Sequence, residues 1–129
     1  MENIKILLID DDPDFLETIS PRIKGWGFDV VGASSGKEGL SALTGERPDI
    51  IVLDFKMPEM DGIATLREIR KKNRDIPVIM FTAYPADVNM SVLEKLNVMT
   101  FIPKLGVHSD LQSALRTAIA GAAKKIAKK

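Results

Sequence analysis

Short apolar runs punctuate the chain at nearly regular intervals. Ile4 to Ile9 is aliphatic at every position but Lys5. It is too short for an ordinary helix and carries apolar side chains on both alternating faces, which predicts a strand buried on two sides. Phe28 to Ala33 is a weaker version; Asp49 to Asp54, Pro77 to Thr82 and Val98 to Ile102 repeat the pattern. Between these runs the apolar period lengthens to that of a helix. Asp12-Pro13 reads as an N-cap with proline at the first helical position, followed by Phe15, Leu16, Ile19 and Ile23. Pro21 predicts a kink in that helix. Ser35-Gly36-Lys37-Glu38 has capping-box spacing ahead of Leu40 and Leu43. Asp61-Gly62 leads into Ile63, Leu66 and Ile69, and a short helix is predicted over roughly Ala86 to Leu96. Ser109-Asp110-Leu111-Gln112 is a second capping box, ahead of Leu115, Ala118, Ile119 and Ile126.

Strand and helix thus alternate through five repeats. Strands apolar on both faces imply a parallel sheet covered by helices on two sides. Right-handed crossovers leave few topologies. The commonest with five strands is the doubly wound, flavodoxin-like order 2-1-3-4-5, here with five helices. Its ligand site lies beyond the carboxyl ends of the strands, at the switch between the first and third.

Composition narrows the class. A chain of 129 residues is the size of one domain, and 45% hydrophobic residues suffice for a core. Lys+Arg and Asp+Glu both number 18, so no net field gathers nucleic acid or anionic lipid. The absence of cysteine excludes disulfide scaffolds, thiolate metal sites and cysteine nucleophiles, and fits a cytoplasmic protein. No apolar run approaches the ~20 residues of a membrane span. The first residues enter a strand pattern at once, so no signal peptide is expected.

The chemistry collects at the strand ends. The first strand runs into Asp10, Asp11 and Asp12; the third ends in Asp54, the fourth in Thr82, and Lys104 follows the fifth. In a parallel sheet these ends share one rim. Two carboxylates about 4 Å apart repel by roughly 4 kcal/mol at an effective dielectric near 20, so such a cluster needs shared protons, a cation or full solvation. Oxygen-rich sites of this kind suit hard divalent cations, Mg2+ above all. Singly, each residue has an ordinary explanation: Asp12 as a helix cap, Asp54 as a turn former, Thr82 as a β residue, Lys104 as a solvated cation. Their placement on successive strand ends is what points to chemistry.

"ILLIDDD", "DIIVLDFKMPEMDG", "PVIMFTA" and the late lysine resemble the receiver domain of bacterial two-component response regulators, across roughly Ile4 to Ala120. The stretch Asp54 to Gly62 is the most specific part. The resemblance implies Asp54 as phosphoacceptor, and Asp11 as direct Mg2+ ligand with Asp10 acting through water. Asp54 itself and the backbone carbonyl of Lys56 would be further ligands. Thr82 and Lys104 would engage the phosphoryl group, and Phe101 would change rotamer with Thr82. The donor would be a phosphohistidine on a sensor histidine kinase or phosphotransfer protein. The receiver assists its own phosphorylation and dephosphorylation but is otherwise no enzyme. The fourth helix, fifth strand and fifth helix would form the face that meets an output domain or effector, or a second copy on phosphorylation. No membrane contact and no direct nucleic-acid binding are implied.

Lys56 and Tyr84 lie two residues beyond Asp54 and Thr82. They could overhang an acyl phosphate and alter access of hydrolytic water, or be solvated loop residues. The family usually carries Lys-Pro with a cis bond after the fifth strand; here the order is Pro103-Lys104-Leu105, so that bond is not expected at its usual place. Asn97-Val98 replaces a usual Gly-Ala pair. His108 reads as an exposed loop histidine. The receiver is expected over 1–121, with 122–129 a basic helix end or the start of a linker to a further domain; a stand-alone receiver fits equally. A haloacid-dehalogenase-type phosphohydrolase would want an aspartate at position 56, and a flavodoxin would not put three acids where it binds phosphate. A pseudo-receiver that only binds partners is the remaining alternative.

Overall fold

The structure is a computed structural model that describes residues 3–55, 57, 61–83, 88–103 and 108–127; the side chains of 108–110 and 127 are outside that description. Strands β1 (Lys5–Ile9), β2 (Asp29–Ala33), β3 (Ile50–Asp54), β4 (Val78–Thr82) and β5 (Thr100–Pro103) form one parallel sheet in the order β2-β1-β3-β4-β5. Helices α1 (Pro13–Gly25), α2 (Gly36–Glu46), α3 (Gly62–Lys72), α4 (Met90–Lys95) and α5 (His108–Ala127) make the connections. Fold class and strand order are those expected from the apolar pattern.

Alternation along each strand divides the core in two. Leu7, Ile9, Ile51, Leu53, Val78 and Met80 pack with Leu43, Leu66, Ile69 and Leu93 of α2, α3 and α4. Ile6, Leu8, Ile50, Val52, Ile79 and Phe81 pack with Ile19 and Ile23 of α1 and Leu115, Ile119 and Ala122 of α5. Full burial of each such aliphatic side chain is worth about 1.5–3 kcal/mol, which is why these strands are aliphatic at nearly every position rather than at every second one.

Several boundaries differ from expectation. α1 is not among them: it continues as one helix on both sides of Pro21, where the sequence places a kink and not an end. Its burial of Ile19 and Ile23 on either side of the proline holds the helix as one element. α4 starts at Met90, not near Ala86, because Asn89 caps it: the Asn89 side chain accepts from the amides of Ser91 and Val92. β5 begins at Thr100 because Asn97 and Val98 are consumed in the turn that ends α4. α5 already includes Ser109, so the second capping box does not start it, and His108 is its first residue rather than part of a loop. At α2, Ser35 Oγ accepts from the Glu38 amide at 3.1 Å, but the return arm reaches the Ser34 amide at 2.7 Å instead of that of Ser35.

Candidate functional site

Parallel pairing places the acids. Ile9 is opposite Leu53 in the β1–β3 register, so Asp10 and Asp54 come one step further along neighbouring strands. Asp10, Asp11 and Asp54 each offer a carboxylate oxygen, all within 4.8 Å of one another. Asp10 and Asp54 are buried, at 0% and 5% exposure, whereas Asp11 faces solvent. At that spacing each charged pair repels by on the order of 3 kcal/mol at an effective dielectric near 20. The start of α1 offsets part of this: the Asp12 amide donates to Asp10 Oδ1 at 3.0 Å, and the helix dipole favours negative charge there. Asp12 itself turns away to cap α1, accepting from the Asp14 amide at 3.0 Å. The donor set is purely carboxylate, with no nitrogen or sulfur, which fits a small hard cation that keeps several waters.

The start of α3 is tied to the end of β3. The Gly62 amide donates to the Phe55 carbonyl at 2.7 Å. A Cβ on Gly62 would sit 2.6 Å from the Asp54 carbonyl oxygen and 2.6 Å from Phe55 Cα. Only glycine lets α3 start this close to the strand that carries Asp54. Asp61 then caps α3, accepting from the Ala64 amide at 2.8 Å.

β4 supplies the next wall. Phe81 pairs with Asp54 in register and is stacked by Phe15 of α1, with ring centroids 5.1 Å apart. Thr82 follows, fully buried, at the end of the strand. By alternation Thr82 shares the Met80 face of the sheet. Phe101 is half-buried on that same face and is the register partner of Met80. Thr82 and Phe101 therefore stand one pleat apart along adjacent strands. Lys56, Tyr84 and Lys104 lie outside the described residues.

A sequence model of the response regulator receiver domain matches residues 6–116. The chain belongs to the response regulator receiver domain family. This receiver domain is 35% identical over 119 residues to the transcriptional regulatory protein ZraR of Escherichia coli K12, a match covering 92% of this chain and 27% of that protein. Among solved structures it resembles a response regulator receiver domain protein of Clostridium thermocellum at 32% identity and a TM-score of 0.76, over 95% and 97% of the two chains. The receiver domain of the response regulator AraT from Geobacillus stearothermophilus gives 26% identity and a TM-score of 0.82, over 99% and 98%. The chain spans about a quarter of the length of ZraR. No described helix is long and apolar enough to cross a membrane.

The carboxylates that the receiver motif singles out are thus brought together, with Thr82 on the adjoining strand end. Sequence reasoning missed the Phe15–Phe81 stack and the steric role of Gly62. The first leaves no local pattern, because its partners meet only across the sheet. The second had a signal, the glycine directly after the Asp61 cap.

Proposed function

We propose that this receiver domain is a phosphoacceptor switch. A carboxylate oxygen of Asp54 attacks the phosphorus of a phosphohistidine on a sensor histidine kinase or phosphotransfer protein. The P–O bond forms as the P–N bond breaks, and the released imidazole takes a proton. Water later cleaves the acyl phosphate, returning the Asp54 carboxylate and inorganic phosphate. The observation that carries this reading is the convergence of the Asp10, Asp11 and Asp54 carboxylates within 4.8 Å on the rim of the sheet.

The residues divide the work. Asp10 and Asp11, with the Lys56 carbonyl, would hold Mg2+. When bound, Mg2+ neutralises charge on the carboxylates and on the transferring phosphoryl oxygens. The Thr82 hydroxyl donates to one phosphoryl oxygen and the Lys104 ammonium pairs with another. Lys56 and Tyr84 modulate entry of the hydrolytic water. Movement of Thr82 toward the phosphoryl group vacates space on the face it shares with Phe101, which biases the surface of α4, β5 and α5 between two states. That surface would meet an output domain or effector, or a second phosphorylated copy. We assign the receiver to 1–121, with 122–129 as its basic helix end or the start of a linker, and its compartment as the cytoplasm.

The test is incubation with acetyl phosphate or phosphoramidate, with and without Mg2+, followed by intact mass. A gain of one phosphoryl group that needs Mg2+ and is lost in Asp54→Asn is expected. No gain in the parent protein overturns the reading.

A further inference from the structure

Arg70, in the last turn of α3, is half-buried. Its guanidinium donates from Nε to the Leu96 carbonyl at 2.7 Å and from Nη2 to the Asn97 carbonyl at 2.9 Å. Nη1 donates to the Ile76 carbonyl at 2.8 Å and the Asn73 carbonyl at 3.2 Å. One side chain therefore ties together the segment that enters β4 and the segment that joins α4 to β5. Burial pulls the guanidinium below its ordinary pKa, while the charge of Asp75 opposes that shift.

The turn that Arg70 grips is already closed on itself. The Val98 amide donates to the Leu93 carbonyl at 3.0 Å and the Asn97 amide to that of Glu94 at 3.1 Å, a Schellman ending. Asn97 sits at φ 57°, in the left-handed region where glycine is the easy choice. The guanidinium holds the carbonyl of that residue in place. At the other end of α3, the Gly62 amide is bonded to Phe55, next to Asp54. α3, about 16 Å long at 1.5 Å per residue, thus runs from the phosphoacceptor strand to the foot of α4.

We propose that Arg70 is a positioning residue that anchors the C-terminal end of α4 to α3, so that modification of Asp54 swings α4 about this fixed foot instead of displacing it as a whole. The inference rests on the switch reading above and adds to it a pivot. A lysine at position 70 keeps the charge but offers a single ammonium in place of the planar fork, and cannot bridge both segments.

The experiment uses the intact chain with Arg70→Met and Arg70→Lys, the second covering the case in which the first does not fold. Amide exchange of Asn97 and Val98 is measured by NMR without phosphodonor. Backbone amide shifts over Met90 to Val98 are then followed on adding acetyl phosphate and Mg2+, with intact mass reporting Asp54 modification. Protection at Asn97 and Val98 is expected to drop roughly tenfold or more in the variants, with phosphoryl uptake within about twofold of the parent. In the parent, phosphorylation-linked shifts should concentrate in Met90 to Val92 and fade by Leu96; in the variants they should extend through Val98. A merely structural role would lower protection without redistributing the shifts. Unchanged protection overturns the anchor, and the same shift pattern in parent and variants overturns the pivot. A parent that takes up no phosphoryl group overturns the switch reading, while the exchange comparison still decides the anchor.

Discussion

Gly62→Ala adds one methyl group where α3 meets the strand that carries Asp54. The new Cβ would lie 2.6 Å from the Asp54 carbonyl oxygen, 2.6 Å from Phe55 Cα and 2.8 Å from the Phe55 carbonyl oxygen. All three neighbours are backbone, so no side chain can rotate away. Relief requires the Asp54–Phe55 backbone or the start of α3 to move by roughly half an ångström, and the 2.7 Å bond from the Gly62 amide to Phe55 is strained in the process. Overpacking of this kind costs about 1–3 kcal/mol, and the upper end applies where only backbone can yield. The better helix propensity of alanine returns at most about 1 kcal/mol, so a net loss of about 2 kcal/mol is expected. Since an ångström of misplacement can cost about a hundredfold in rate, half that displacement should slow phosphoryl uptake by Asp54 about tenfold. Gly45→Ala is the control: it lies in α2, where an added methyl meets nothing within 4 Å, and should stabilise by up to about 1 kcal/mol. Urea unfolding and the rate of mass gain with acetyl phosphate read both effects. A Gly62→Ala protein as stable as the parent within about 0.5 kcal/mol, and as fast, would refute the reasoning.

Asp54→Asn removes one charge from the acid triad, and in EDTA should raise stability by about 1–3 kcal/mol. Mg2+ should stabilise the parent more than the variant, and equal urea midpoints in EDTA would count against a strained cluster. Lys56→Ala should change the lifetime of phospho-Asp54; superimposable decay curves would remove Lys56 from the modulatory set. The Ser34 hydroxyl and amide hold the Glu38 carboxyl below its ordinary value of 4.5. A depressed folded-state pKa contributes stability that is present above the unfolded value and lost as pH falls through the folded one. Glu38→Gln should therefore melt lower than the parent at neutral pH, and thermal melts should show the gap closing as pH falls below 4.5; a gap independent of pH would exclude the carboxylate as its source.

Much of this receiver domain is determined by local sequence. Burial on both faces makes each strand a continuous aliphatic run, as in Ile6 to Ile9, and the parallel order follows from the helices between runs. Once the sheet is parallel, residues at the carboxyl ends of β1, β3 and β4 must share a rim, so Asp10, Asp54 and Thr82 could be assembled without coordinates. What tertiary structure alone decided depends on contacts between distant parts of the chain. Arg70 looks like any cation in the last turn of a helix, where it complements the dipole; its carbonyl partners at Leu96 and Asn97 are 26 and 27 residues away. Phe15 meets Phe81 only because α1 and β4 bury side chains in the same layer on one face of the sheet. α1 passes Pro21 because packing of Ile19 and Ile23 outweighs one lost backbone hydrogen bond. Periodicity reports which face of an element is buried; which residue meets which across that face is set when the layers close.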